Sequence, residues 1–595
     1  MFWCDQLVEA LNGPQIINDS KTPSGRAHVG ALRGPLIHDA IFRSLKERGV
    51  PVRYRFGVDD YDPVDEIPYG EAGHFEKYLG APLCNVPPPP GSPATDMADH
   101  YITEFFGVFK ELGIRPEYYR MREVYRTGSF NEAIDAILRK AGDVRRIYKE
   151  VSGAERAENW HPFQVVCENC GRIGTTVVTG YDGREVTYQC EPDLVKWARG
   201  CGHRGKVSPF DGRGKLPWKL EWCAKWKTFP VTIEGAGQDH STKGGSRDVA
   251  AACLRAIFGQ EPPLNCPYSF FLVGGAKMSS SKGIGVSSRQ MADFLPPEIL
   301  RFLLLRPAPK QPVNFEPSEE HVIKLFNEYD RTHQKFFKDP KASPAEKRIY
   351  EIAQVDQEPD YWVADFQLIA ALTQMPHIDL IAELEKRKGS PFTDIERAHL
   401  QRRIQAARYW IENYATENEK TRLQETLPAR AQELGAAQRA FMHFLAGLLG
   451  DVAWETEAIQ TRVFDAARLT PIDQPSAFKA IYRVVLDREN GPKAGSLFSF
   501  LDRQFVIRRL QEMPYDTAAF WKETGIAPAQ FEEWLAKEKP NIASLKGRIE
   551  TQGEMTAVEF DIKTTNGKMQ RKRVIMPPTS NAAEWINKVK LVLPV

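Results

Sequence analysis

Apolar residues in the first half of the chain come in short runs, and each run ends in a turn rich in glycine and ligand-binding groups. Ile16-Ile17 leads into Pro23-Ser24-Gly25-Arg26-Ala27-His28-Val29-Gly30 and then the helical pattern Leu36-Ile37-His38-Asp39-Ala40-Ile41-Phe42. Val52-Arg53-Tyr54-Arg55-Phe56 leads to Asp59-Asp60-Tyr61-Asp62-Pro63, and Val231-Thr232-Ile233-Glu234 to Gly235-Ala236-Gly237-Gln238-Asp239-His240. A fourth run, Ser269-Phe270-Phe271-Leu272-Val273, follows Pro267-Tyr268 and leads to Gly274-Gly275. Runs of this length between turns read as buried strands. The order strand, glycine turn, helix predicts a parallel sheet whose ligands gather at the carboxyl ends of its strands, with backbone N–H groups and a positive helix end available to an anion. Pro297 opens a further helix, to about Arg306. From about residue 318 the pattern changes to amphipathic helical periods, as in Ile395–Ile404 and Phe441–Leu445. The fold expected is α/β in the first half, a Rossmann-type parallel sheet, and α-helical in the second.

Two stretches break that division. Between 160 and 214, Cys167-Glu168-Asn169-Cys170-Gly171 forms a knuckle of two thiols, and Cys190 and Cys201-Gly202-His203 lie a short way on. Four such ligands in a segment with little core of its own predict a structural zinc held by Cys167, Cys170, Cys190 and Cys201, with His203 as the alternative to Cys190. The intervening Thr175–Thr179 and Tyr181–Tyr188, turning at Asp182-Gly183, predict a hairpin and hence a zinc ribbon. Near the end, Ala557–Thr565 and Lys568–Met576 predict a second hairpin around Asn566-Gly567, with Lys568, Arg571, Lys572 and Arg573 on its second arm. That arm is a solvated face by default and an RNA contact as the sharper reading.

Composition narrows the class. At 595 residues with 42% apolar content the chain is globular and long enough for about four domains. A formal net charge of +1 gives no global field for a polyanion, so a nucleic-acid surface has to come from local clusters. No uncharged apolar run approaches the roughly 18 residues that span a bilayer, and the start Met1-Phe2-Trp3-Cys4-Asp5-Gln6 has no signal-peptide pattern. A cytoplasmic monomer without membrane contact is expected. Nine cysteines, an odd number, argue against a disulfide framework. Pro87-Pro88-Pro89-Pro90 is a stiff connection flanked by His74, Cys84, Asp96 and His100, a loose set that matches no strong metal template.

The most concentrated chemistry is Lys277-Met278-Ser279-Ser280-Ser281-Lys282-Gly283: two ammonium groups and three hydroxyls between glycines, able to close on a triphosphate. Paired with the turn at Pro23, Gly25, His28 and Gly30, it resembles the two signatures of the class I aminoacyl-tRNA synthetases. The departures are a first motif one residue short, Ala31 in place of its last histidine, and Ser280 in the place of a lysine that here stands at Lys282. This form is similar to the class I lysyl-tRNA synthetases in particular, over about residues 14–512. The resemblance implies that lysine is activated with ATP and magnesium and joined to tRNA(Lys), without a covalent enzyme intermediate. It implies that His28 and the N–H groups near Gly30 hold phosphate oxygens, that Lys277 and Lys282 meet the leaving diphosphate beside Ser279, Ser280 and Ser281, and that Asp239 after Gly237 fixes the ribose. Trp222 matches a pocket residue of that family, while Trp218 and Trp226, four residues to either side, read as core. Gly25, His240 and Tyr268 join Trp222 in the expected lysine pocket, with Asp59 and Asp60 either there or capping turns. The domains expected are 1–159 and 215–317 for the catalytic fold, 160–214 for the ribbon, 318–512 for helical anticodon binding and 513–595 for an appended α+β tail. The alternatives are a glutamyl-type enzyme, for which Arg26 and Arg33 are the available guanidinium groups, and a tRNA-independent nucleotidyltransferase.

Overall fold

The computed structural model describes the chain apart from Tyr69, Gly275, residues 278–285, 376–378, 417–419, 421–422, Pro471, 515–541, 553–554 and 576–595. Two compact units are present. The first comprises Met1–Phe366 and Phe392–Tyr414, and the second Gln367–Pro391 and Ala415–Val595. The first unit therefore holds the parallel sheet and also helices well beyond residue 317, including Glu319–Lys338 and Asp394–Asn413.

The sheet is built on β1 (Gln15–Lys21), which is followed by helix α1 (Arg33–Glu47) and strand β2 (Val52–Val58). β1 and β2 pair in parallel from Gln15 opposite Val52 to Lys21 opposite Val58, and β3 (Glu117–Arg120) joins β2 in parallel. On the other side of β1, Ile233 bridges Ile17 in parallel and Leu264 bridges Ile233. Five parallel segments result, with β1 in the middle. The alternation in β2 explains its place, since Tyr54, Phe56 and Val58 are all buried on one face. α1 covers the sheet with Leu36, Ile37, Ala40, Ile41 and Leu45, all within about a turn's spacing on one stripe and all buried.

The ribbon follows the expected hairpin: β4 (Thr176–Tyr181) pairs antiparallel with β5 (Val186–Cys190), and a third strand β6 (Arg204–Val207) pairs with β5. The turn is fixed by Asp182, whose side chain accepts from the N–H groups of Arg184 and Glu185 at 2.9 and 2.8 Å, while Gly183 takes φ +97°. After it come helix α2 (Trp218–Thr228), strand β7 (Phe271–Val273) and helix α3 (Pro297–Leu305). In the second unit, helices Ala436–Leu448, Thr456–Leu469, Gln474–Leu486 and Arg503–Gln511 share a core that includes Phe441, Leu445, Ile459, Ile481, Val485 and Leu510. The tail hairpin is present as Met555–Thr564 against Met569–Ile575, where Arg573 stands opposite Glu559 and Arg571 opposite Asp561. A third strand, Ile542–Gln552, completes that sheet. No helix among the described residues is long and apolar enough to cross a membrane.

Candidate functional site: two adjoining cavities at the strand tips

The carboxyl ends of β1, β2 and the 233–240 segment open on two cavities that share Asp19, Ser20, Lys21, Gly237, His240 and Tyr268. The smaller, about 270 Å³, is also lined by His28, Gly30, Ala31, Asp239 and Ser269–Phe271. The larger, about 620 Å³, is lined by Asp59, Asp62, Asp65, Glu66, Lys215, Trp218, Glu221, Trp222, Lys225 and Glu234 among others. So the two sequence motifs nearest a nucleotide chemistry, His28-Val29-Gly30 and Gly237-Gln238-Asp239, meet in one cavity, and Trp222, His240, Tyr268 and Asp59 meet in the other.

Backbone bonds hold the smaller cavity together. Val29 N donates to Val286 O at 2.9 Å and Ser288 N to Ala27 O at 2.7 Å, so His28 and Ser287 form an antiparallel bridge. Gln238 N donates to Tyr268 O at 2.8 Å. Gly34, at the start of α1, allows the Tyr268 ring to lie on the helix, because a Cβ there would come 2.6 Å from the phenol oxygen. Behind the wall, Gly235 N donates to His38 Nε2 at 2.8 Å, which places the His38 proton on Nδ1, facing Asp19 Oδ2 at 3.0 Å. His38 thereby orients Asp19, which borders both cavities.

The larger cavity is framed by buried charge. Lys215, Glu221 and Lys225 are 1%, 2% and 3% exposed. Lys215 pairs with Asp62 and with Glu221 at 3.1 Å; Lys225 pairs with Asp59 and with Glu221 at 3.6 Å. Tyr125 donates to Glu221 at 2.7 Å and Thr22 to Asp62 at 2.8 Å. Burial works against the Lys215 ammonium, but Asp62 and Glu221 outweigh it and hold its pKa above the usual amine value. Burial also pushes the Glu221 carboxyl up against the pull of the two lysines. Glu234, 3% exposed, accepts from Trp226 at 2.6 Å and from Asn18 at 3.1 Å, and burial raises its pKa too. These charges are legible only in three dimensions: Glu221 and Lys225 are four apart on a helix, the spacing of an ordinary surface pair.

Other expected residues fall elsewhere. Asp60 is fully buried and faces Arg122, whose N–H groups reach it at 2.8 and 2.5 Å, so its carboxylate serves an ion pair and lines neither cavity. Pro23 and Gly25 shape the turn without lining either cavity; Gly25 packs beside Pro68. Trp226 is buried as expected, but Trp218 is 44% exposed and edges the larger cavity against the His240 ring, 5.3 Å away. Lys277 is described as backbone, paired with Leu272; Ser279, Ser280, Ser281 and Lys282 lie outside the described residues. Arg26 is taken by Glu104 at 2.7 Å. Arg33 is 1% exposed and donates to the carbonyls of Leu304, Ala308, Pro309 and Gln311 at 2.8–3.2 Å. Neither arginine borders a cavity.

In the ribbon, the sulfurs of Cys167, Cys170, Cys190 and Cys201 lie within 4.8 Å of one another. The Cys167–Cys201 and Cys170–Cys190 separations are 3.6 and 3.7 Å. A tetrahedron with Zn–S bonds of about 2.3 Å has edges of about 3.8 Å, so the four thiols fit that ion. His203 stays outside the group, its ring against Tyr188. His74, Cys84, Asp96 and His100 do not converge: Asp96 caps a helix and pairs with Arg122, and His100 bonds Ser92 at 2.8 Å.

A family model described as tRNA synthetases class I (K) matches residues 1–356. Among curated proteins, a lysine–tRNA ligase of Methanosarcina barkeri is 33% identical over 534 residues, covering 86% of this chain and 97% of that protein. The lysine–tRNA ligase of Thermoplasma acidophilum is 30% identical over 522 residues, covering 87% and 99%, and that of Archaeoglobus fulgidus is 32% identical over 517, covering 86% and 99%. With a catalytic-type sheet, two cavities at its strand tips and matches of this extent, the chain belongs to the class I tRNA synthetases of the K group.

Proposed function

We propose that this protein activates lysine with MgATP and transfers it to tRNA(Lys), through a lysyl-adenylate. The observation that carries the choice of amino acid is the charge of the larger cavity. Seven carboxylates line it, Asp19, Asp65, Glu66 and Glu234 among them, against the three ammonium groups of Lys21, Lys215 and Lys225, and no arginine lines it among the described residues. A buried side-chain ammonium needs carboxylate partners, whereas a glutamate side chain needs a guanidinium or ammonium opposite it. Trp222 offers a ring face to the four-carbon stem or the cation, and His240 and Tyr268, shared by both cavities, stand where the carboxylate end of the amino acid meets the nucleotide. The names of the three relatives support the same substrate.

The smaller cavity suits the adenylate half of MgATP. Asp239 accepts from ribose hydroxyls, and the turn at His28 and Gly30 presents N–H donors to phosphate oxygens. A lysine carboxylate oxygen attacks the α-phosphorus, the bond to the bridging oxygen of the β-phosphate breaks, and magnesium diphosphate leaves. Charge grows on the equatorial oxygens, so positioned donors and Lys277 and Lys282 of the second motif do the work without a protein nucleophile. The ribose hydroxyl of the tRNA end then attacks the lysyl carbonyl and AMP departs. The helical second unit reads the anticodon bases. The four ribbon thiols hold a structural zinc, which closes their coordination and leaves no position for catalysis. The deciding experiment is ATP–pyrophosphate exchange across the amino acids, with and without tRNA: lysine is expected far above glutamate, arginine and ornithine, and activation of glutamate alone would refute the substrate.

A further inference from the structure

We infer that Lys21 is a catalytic residue of the adenylation step, its ammonium bridging the lysine carboxylate and the α-phosphate as the new bond forms. The inference rests on the reading above and names a group that the sequence motifs do not contain. Lys21 is the last residue of β1 and lines both cavities, and among the described residues it is the one ammonium or guanidinium group that borders the smaller. The atoms that react come one from each cavity, so a cation on their shared wall lies at the seam where negative charge accumulates.

Its surroundings leave it available. The ammonium donates to its neighbour's carbonyl, Thr22 O, at a long 3.3 Å, and among the described residues no carboxylate oxygen comes within ion-pair distance. Asp19 and Asp59 act on it from farther away and favour its charged form, while burial, the larger influence, lowers its pKa. This differs from Lys215 and Lys225, each of which is held by two carboxylates. Even half-buried, as Lys21 is, an ammonium lacking a close counter-ion is costly unless a ligand supplies the charge. Two anionic substrates do so here. The first motif also ends in Ala31, which lines the smaller cavity without a side-chain donor where the usual motif has histidine. Lys21 supplies a donor to the same phosphate region from the neighbouring strand tip.

The step balances without a proton moving. A carboxylate oxygen bonds to the α-phosphorus, the bond to the bridging oxygen of the β-phosphate breaks, its electron pair goes to the leaving diphosphate, and Lys21 stays protonated, donating to a non-bridging α-phosphate oxygen. Because that oxygen gains charge in the transition state, the contact is felt in turnover more than in binding.

The test uses the full-length protein with MgATP and lysine. Lys21→Met, which removes a half-buried charge with no close partner, should keep the wild-type Tm and bind MgATP and lysine within about threefold of wild type by equilibrium dialysis. Its exchange rate should fall at least about 100-fold in kcat, and Lys21→Arg should recover to within about tenfold of wild type. Lys21→Gln provides a second neutral variant with the same expectation. Exchange within threefold of wild type in either neutral variant, or a Lys21→Arg enzyme as slow as Lys21→Met, overturns the assignment. Should wild type itself exchange with another amino acid and ignore lysine, it is the substrate reading that fails, and the neutral variants still test Lys21 with that amino acid.

Discussion

The two cavities share a wall yet are made of different material. The smaller sets Gly30, Ala31, Gly237 and the turn at His28 against the rings of Phe56, Tyr268, Phe270 and Phe271, with Asp19, Lys21 and Asp239 as its charged side chains. The larger is mostly side chains, and its frame is the chain Asp59–Lys225–Glu221–Lys215–Asp62. A phosphate can be met by main-chain dipoles that any sequence carries, given glycines where the backbone must approach. Discrimination of one amino acid needs charges fixed in space, and fixing them in a low-dielectric interior takes partners on every side. The difference predicts that perturbing the larger cavity disturbs stability and lysine binding together, while perturbing the smaller disturbs MgATP binding and turnover and leaves lysine binding and stability in place.

The strongest break is Glu221→Ala. It leaves two buried lysines short of a counter-ion, and removing one partner of such a pair typically costs about 3–5 kcal/mol. Urea denaturation should show a loss of that order, with lysine affinity lowered in whatever folds; a loss under about 1 kcal/mol would mean the network is solvated and does not frame the cavity. Next is Lys277→Ala, expected to slow adenylate formation by about 10- to 1,000-fold, or roughly 1.4–4 kcal/mol, with lysine affinity unchanged. Single-turnover measurement separates the two, and unchanged turnover would make that segment an ordinary basic turn. Trp222→Ala should then raise the lysine Kd by about 5- to 30-fold through lost ring contact worth about 1–2 kcal/mol, while MgATP binding holds. Equal effects on both ligands would dissolve the distinction between the cavities. Asp239→Ala is the mirror experiment and a smaller one, raising KM for MgATP about 2- to 10-fold for a lost hydrogen bond of about 0.5–1.5 kcal/mol. Truncation at about residue 513 should leave exchange unchanged, and loss of exchange in soluble truncated protein would give the tail a part in adenylation.

Sequence alone carried most of the first cavity, the ribbon hairpin, and Asp59, Trp222, His240 and Tyr268 of the second, but not the second cavity's buried charges. Glycine turns after apolar runs, a Cys-x-x-Cys knuckle and an Asp-Gly hairpin are local signals, each written in a few adjacent residues. Lys215, Glu221 and Lys225 carry no such signal, because the spacing of Glu221 and Lys225 on α2 is consistent with charges in water and Lys215 stands apart, three residues before that helix. Asp60 shows the converse. Beside Asp59 in sequence, it lies in the turn after β2 and is buried against Arg122 from another element, a partner that no local pattern announces. Four-residue spacing with Trp222 and Trp226 puts Trp218 in the core, yet it is the first residue of its helix, where the stripe has rotated to the cavity mouth. The strand Ile542–Gln552 has no clear signal in the sequence because its apolar alternation is interrupted by Gly547 and three charges.

The bridge between His28 and Ser287 sets a timetable for biosynthesis. The turn that presents His28 leaves the ribosome early, but the backbone atoms that clasp it, at Val286 and Ser288, are among the last of the sheet-bearing region to be made. At about 5–20 residues per second the nascent chain carries that turn unclasped for on the order of tens of seconds, while the ribbon is made in between. Loop closure over so long a separation adds little to the equilibrium cost but slows the search. Completion of the smaller cavity's wall is thus a late event by topology, and a ribosome stalled before residue 286 holds a chain whose His28 turn has no strand to clasp it.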